Sequence, residues 1–204
     1  MTTETRLRFV VATTNRGKLA EISAVLGPSY DLTHLPKEFR PAPETGVSLE
    51  ENAKLKATHA ARRLDVPALA DDTGLEIDAL GGEPGVRSAR YLGEDTSYQT
   101  RIEAILSRLR GVDVSDRRAR FRTVAVAAFP DGTLLLESGI LEGVIGYQPS
   151  GSAGFGYDSV FMPHGCRGRT LAELALEETV RISHRSLAFG RLLRPVATTR
   201  RWSV

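Results

Sequence analysis

The chain has 204 residues, 41% hydrophobic and 25% charged, with a formal net charge of +2. That length suits one domain with a sizeable core, the composition is ordinary for a globular protein, and the charge is too small to argue for nucleic acid. No apolar run of about 18 residues marks a membrane span, no secretory apolar region follows Met1, and the single Cys166 allows no internal disulfide, so a cytoplasmic setting is expected.

Leu7 to Ala12 reads as a first strand, broken by Thr13-Thr14-Asn15-Arg16-Gly17. Lys18 to Leu26 has Leu19, Ile22, Val25 and Leu26 on one side of a helix, and Gly27-Pro28 stops it. A weak strand spans Tyr30 to Leu35, and the Pro-rich stretch from Pro36 to Gly46 reads as a loop. Ser48 and Glu51 form a capping box that opens a helix through Leu64. Val66 to Ala70 is a short apolar strand, expected to end where Asp71-Asp72-Thr73-Gly74 begins. A glycine-rich loop runs from Gly81 to Gly93, and a helix from Gln99 to Leu109. Phe121–Phe129 and Thr133–Glu137 form a hairpin around Pro130-Asp131-Gly132. Strands are expected at Leu141–Tyr147 and Val160–Met162, and helices at Leu171–Thr179 and His184–Leu193, the last ended by Pro195. Residues 198–204 read as a frayed tail. The alternation predicts an α/β fold with a mixed sheet.

Five short segments carry residues with chemical potential. Asp71 and Asp72 are adjacent carboxylates, suited to a divalent metal or to proton transfer, although Asp-Asp-Thr-Gly is also good turn chemistry. Thr13, Asn15 and Lys18 surround a helix start, which suits phosphate; the structural alternative is an N-cap and an exposed lysine. Only Lys18, Lys37, Lys54 and Lys56 are lysines among 27 basic residues, so each lysine draws notice beside so many arginines. Glu51 serves either the capping box or a metal, and Asn52 and Lys56 share a helix face. Ser152, Phe155, Gly156, Tyr157 and Asp158 lie in a glycine-rich run, where Phe155 suits stacking on a base and Asp158 suits a base edge; the alternative is a loop with core aromatics. Ser183 is a good N-cap for the last helix, and His184 and Arg185 are donors suited to carbonyl or phosphate oxygens.

Taken in order, Thr-x-Asn-x-x-Lys, Glu-Asn-Ala-x-x-Lys-Ala, Ala-Asp-Asp-Thr-Gly-Leu, Gly-Gly-x-Pro-Gly-Val-x-Ser-Ala-Arg-Tyr, Gly-Phe-Gly-Tyr-Asp and Ser-His-Arg resemble the inosine triphosphate pyrophosphatase family. The resemblance runs from about Phe9 to Leu193. It implies an elongated mixed β-sheet with flanking helices, one domain (1–204) with two lobes around a central cleft, and a homodimer without nucleic-acid or membrane partners. It further implies Mg²⁺-dependent hydrolysis of non-standard purine nucleoside triphosphates (ITP, dITP, XTP) to the monophosphate and pyrophosphate. By resemblance, Thr13, Asn15, Lys18 and Lys56 hold phosphates, and Glu51 and Asp71 hold the metal. Asp72 is the base that activates water, placed beside the metal; Phe155 stacks on the purine; and Ser152, Gly156, Tyr157, Asp158, His184 and Arg185 line the base pocket.

The chain departs from that pattern in three places. Glu178-Thr179 stands where the family has Glu-Lys, Arg169 where it has lysine, and Gly139-Ile140-Leu141-Glu142-Gly143 where it has an aromatic. Losing one charge-assisted phosphate contact weakens binding about ten- to a hundredfold, unless Arg169 or Arg181 compensates. These departures motivate an alternative, a paralogue acting on a purine nucleotide with fewer phosphates. A third possibility is a nucleotide-binding module without catalysis. Keeping Glu51, Lys56, Asp71 and Asp72 together argues against it, because binding alone needs no base beside a metal.

Overall fold

A computed structural model describes residues 6–194. The expected Pro195 stop and the tail at 198–204 lie outside those residues. In chain order the elements are β1 (Arg8–Val11), α1 (Arg16–Leu26), β2 (Asp31–His34), α2 (Leu49–Leu64), β3 (Ala68–Ile77), β4 (Pro84–Gly85), α3 (Tyr98–Arg108), β5 (Arg118–Ala128), β6 (Leu134–Ile145), β7 (Phe161–Pro163), α4 (Leu176–Ile182) and α5 (His184–Leu192). The strands form one mixed sheet in the order β2-β1-β3-β5-β6-β7, with β4 paired to β3. β1 is parallel to β2 and β3, whereas β3–β4 and β6–β7 are antiparallel. The expected α/β class with a mixed sheet and flanking helices is therefore observed.

Three expectations about elements need correction. β3 does not end at the aspartates but continues through Asp71, Asp72, Thr73 and Gly74 to Ile77. Gly74 serves close approach and not a turn: a Cβ there would lie 2.7 Å from the Gly85 carbonyl oxygen of β4. The two strands expected at 133–137 and 141–147 are one, β6, because Glu137-Ser138-Gly139 stays extended and does not break. The helix expected at 171–179 is a 3₁₀ turn (Leu171–Glu173) followed by α4. The turn at Pro130-Asp131-Gly132 is as expected, closed by the Phe129 N–H bond to the Thr133 carbonyl at 2.9 Å.

The chain divides into two compact units. Within the described residues, one comprises 6–72, 123–139 and 185–194; the other comprises 73–122 and 140–184. Each has its own apolar core. In the first, Phe9, Val11, Leu69, Ala125 and Ala127 from the strands, with Phe129 just after β5, meet Ile22 and Leu26 of α1 and Phe189 and Leu192 of α5. In the second, Leu75, Ile77, Phe121, Ile145 and Phe161 from the strands meet Ile102 and Ile105 of α3. β1 and β3 are buried almost throughout, and the helical spacing on α1 turns Ile22 and Leu26 inward, where burial favours folding. No described helix is long and apolar enough to cross a membrane.

Candidate active site

Parallel pairing sets the first part of the site. The Ala12 N–H bonds the Leu69 carbonyl at 2.7 Å, so β1 gives way to the Thr13–Asn15 turn beside the Ala70–Asp72 stretch of β3. In that turn Asn15 is the N-cap of α1, its Oδ1 accepting from the N–H groups of Gly17 (2.8 Å) and Lys18 (3.2 Å). Thr13 Oγ1 accepts from the Asn15 N–H at 3.1 Å. Capping starts the helix where its unpaired amides gather, and it aims Lys18 inward from the first turn. Lys18 is not the exposed lysine of the structural alternative: its Nζ lies 3.0 Å from Asp71 Oδ2.

The aspartates have different partners, as expected for neighbours that project to opposite faces of a continuing strand. Asp71 Oδ2 meets Lys18 Nζ and, at 3.3 Å, Arg185 Nε from the start of α5. Arg185 Nη1 also donates to Glu21 Oε2 of α1 at 2.7 Å. Asp72 Oδ1 accepts from Lys56 Nζ at 2.8 Å, and its Oδ2 from Asn52 Nδ2 at 3.2 Å. Lys56 Nζ donates in turn to Glu44 Oε1 at 2.9 Å, so one ammonium holds two carboxylates. Lys18, Lys56, Asp71, Asp72 and Arg185 are therefore brought together within the first unit, with Glu21, Glu44 and Asn52 added by the structure.

This network splits the two carboxyl groups electrostatically. Burial raises the Asp71 carboxyl, but Lys18, Arg185 and Lys56 outweigh it and hold the group well below the usual carboxylate range. Burial likewise raises Asp72, and here it prevails over the lowering pull of Lys56 and Lys18. Burial lowers Lys18, helped by Lys56 and Arg185, against the raising pull of Asp71 and Asp72. Burial also opposes the charge of Lys56, but Asp72, Asp71 and Glu44 outweigh it and raise this ammonium. One aspartate is thus a fixed anion, and its neighbour takes a proton more readily.

The Asp71 shift has a sign in stability. Because its folded value is depressed, Asp71 stabilises the fold fully above its unfolded value of about 3.9, and loses that contribution as pH falls through the folded one. Asp72 works in the opposite sense, its ionisation costing stability as pH rises past about 3.9. Urea midpoints measured between about pH 5 and about pH 3 should fall in the wild type and fall less in Asp71→Asn. Parallel pH curves for the two proteins would show that Asp71 is not the group responsible.

Glu51 is placed differently from a completed capping box. Ser48 caps α2 as expected, its Oγ accepting from the Glu51 N–H at 3.2 Å, but Glu51 Oε2 accepts from the Val47 N–H at 2.8 Å. Among the described residues no group of three or more His, Cys, Asp or Glu gathers as an all-protein metal cage.

The candidates for a base pocket fall in the second unit, except Arg185. Phe155 is half-buried in a turn closed by its own N–H, which donates to Asp158 Oδ2 at 2.8 Å. Gly154, at φ +71°, admits this closure; a Cβ there would fall 2.3 Å from Asp158 Oδ2. Asp158 therefore shapes the turn. Tyr157 is buried, its hydroxyl donating to the Ser88 carbonyl at 2.9 Å and its ring edge-on to Tyr98, and burial raises its hydroxyl. The chain around Ser152 is pinned by its N–H to the Ala172 carbonyl at 3.1 Å, and Gly156 has φ +65°. His184 is buried and stacks on Phe121, with ring centroids 5.0 Å apart. Arg185 is 1% exposed and lies between Asp71 and Glu21. Of the two arginines considered as replacement charges, Arg169 is paired to Glu178 at 2.8 Å and Arg181 is exposed.

Comparison with known proteins places this arrangement. The Ham1 family profile matches residues 9–194, and the chain is 44% identical over 197 residues to the dITP/XTP pyrophosphatase of Elusimicrobium minutum, covering 93% of this chain and 100% of that protein. The chain belongs to the Ham1 family. A dITP/XTP pyrophosphatase of Thermus thermophilus is 45% identical over 190 residues, covering 92% of this Ham1 chain and 90% of its relative. A HAM1 protein from Coxiella burnetii superposes with a TM-score of 0.82 at 38% identity, over 95% of this chain and all of that one. The Staphylococcus aureus Ham1 protein gives 0.79 at 38% identity, over 93% and 97%. The family expected from the ordered motifs is therefore the one found.

Proposed function

We propose that this Ham1-family chain hydrolyses non-standard purine nucleoside triphosphates, dITP and XTP first among them, to the monophosphate and pyrophosphate. The reading is supported by its relatives, two of them named for that activity at 44% and 45% identity. It is carried by one observation: Asp72, its carboxyl raised by burial, shares the Lys56 ammonium with Glu44, while adjacent Asp71 stays a fixed anion. A carboxyl raised toward working pH accepts a proton from water better than an ordinary aspartate.

The donor set fits Mg²⁺, which prefers one or two carboxylates plus substrate oxygens to an all-protein cage. Glu44 and Asp72 are hard oxygen donors that share the Lys56 ammonium, and they would hold the ion, with Glu51 near the start of α2. When bound, the ion would neutralise phosphate charge. In this reading Asp72 takes the proton of the attacking water. Lys56 and Lys18 would face the polyphosphate, and the Thr13–Asn15 turn at the start of α1 would lie beside it. Phe155 offers a ring for stacking on the purine. A homodimer in the cytoplasm completes the proposal.

Purified protein supplied with Mg²⁺ and dITP, XTP, ITP, ATP or GTP should release pyrophosphate from the first three and much less from the last two. Chelation should stop it. Equal or absent turnover on all five would overturn the reading. Free base or nucleoside released from a purine monophosphate would instead favour a paralogue acting on fewer phosphates.

A further inference from the structure

Asn52 lies near the start of α2 with no exposed surface. Asparagine is a poor helix former, and a buried amide costs stability unless both its ends are bonded. Both are. Oδ1 accepts from the Gly46 N–H at 2.8 Å, and Nδ2 donates to Asp72 Oδ2 at 3.2 Å. These partners fix the amide's orientation, because an N–H requires an acceptor and a carboxylate a donor. Gly46 permits the approach; a Cβ there would lie 2.7 Å from Asn52 Oδ1.

Gly46 belongs to a strap, residues 36–47, that lies along α2. The helix holds this strap at other points as well. Lys56 Nζ bonds Glu44, Glu51 Oε2 accepts from the Val47 N–H, and His59 Nε2 is 2.9 Å from the Arg40 carbonyl. Of these helix residues, Asn52 and Lys56 bond both the strap and Asp72. Lys56 does so with a flexible charged stem, Asn52 with a short planar amide.

We propose that Asn52 is a positioning residue, its single amide setting the Asp72 carboxylate and the Glu44-bearing strap in register with each other. This deepens the proposed hydrolysis and rests on it. Asparagine is required because the two contacts need opposite polarity on adjacent atoms. Aspartate keeps the acceptor for Gly46 but loses the donor and faces Asp72 with like charge. Alanine loses both contacts.

The test compares wild type, Asn52→Asp and Asn52→Ala by steady-state kinetics on dITP and by amide hydrogen exchange. Asn52→Asp should lower kcat about 10- to 100-fold with KM little changed and Gly46 still protected. Asn52→Ala should lower kcat similarly and also release protection at Gly46. A residue with only a structural role would lower Tm in both variants and leave kcat per folded site unchanged. Wild-type kcat in Asn52→Asp, or unchanged Gly46 protection in folded Asn52→Ala, would overturn the proposal. Should both variants fail to fold, a Gly46 amide that exchanges at the unfolded-chain rate in native wild type would overturn it, and a protected one would support it. Wild type inactive on dITP and XTP would overturn the parent reading and the catalytic half of this one, while exchange at Gly46 would still decide the strap half.

Discussion

Asp72→Asn should lower kcat for dITP by about 10²–10⁴-fold, the usual contribution of a positioned proton acceptor. The substitution keeps the shape of the side chain and an oxygen within reach of Lys56. It removes the site that can take a proton, which is the property burial enhances at Asp72 and the neighbouring cations suppress at Asp71. Pyrophosphate release measures the loss, and calorimetry with dITP shows whether binding is retained. The fold should hold, because the amide keeps an oxygen acceptor for Lys56, which retains Glu44 as its anionic partner. Turnover within about threefold of wild type would assign the base elsewhere.

Arg185→Met should cost stability instead. The guanidinium is 1% exposed and holds two buried carboxylates, Asp71 and Glu21. Methionine roughly fills the volume but leaves Asp71 and Glu21 without the guanidinium they share, Lys18 staying on Asp71. Removing one partner of a buried pair typically costs about 3–5 kcal/mol. For a chain of this size that lowers Tm by roughly 6–20 °C. The deficit should narrow below about pH 4, where wild type also loses the contribution of ionised Asp71. Thermal unfolding at neutral and acid pH reads both effects, and a Tm change under about 2 °C at pH 7 would show that the network carries little. Glu21→Gln combined with Arg185→Met should recover part of the loss, since it removes one of the stranded charges.

Much of this site could be read from residue order, and the misreadings have identifiable physical causes. Ser48 was legible because a helix needs an acceptor for its first amides, and the structure uses it so. Lys18 and Lys56 stood out as scarce lysines, and both are drawn into the carboxylate cluster. Glu44 carried no signal: it sits in a Pro-rich loop, without periodicity, and only the fold brings it to Lys56. Glu21 is one turn beyond Lys18 on α1, but charged helix residues are usually solvated, so spacing alone does not mark it as buried. Thr73-Gly74 imitates a turn in composition, although its glycine admits a neighbouring strand. Asp158 and Tyr157 were legible as a motif but their partners were not, because a carboxylate that closes its own turn and one that does not look identical in sequence.

The boundary between the two compact units falls at Asp72/Thr73 inside β3, at Arg122/Thr123 inside β5, at Gly139/Ile140 inside β6, and at His184/Arg185. Neither unit is a contiguous stretch of polypeptide, so no single cut in the gene yields either as an independent fragment. Each half must wait during synthesis for segments far downstream, and such distant closures favour slow folding. The carboxylate assigned to water activation is the last residue before the first crossing, so recombination cannot exchange one half without severing the strand that bears it.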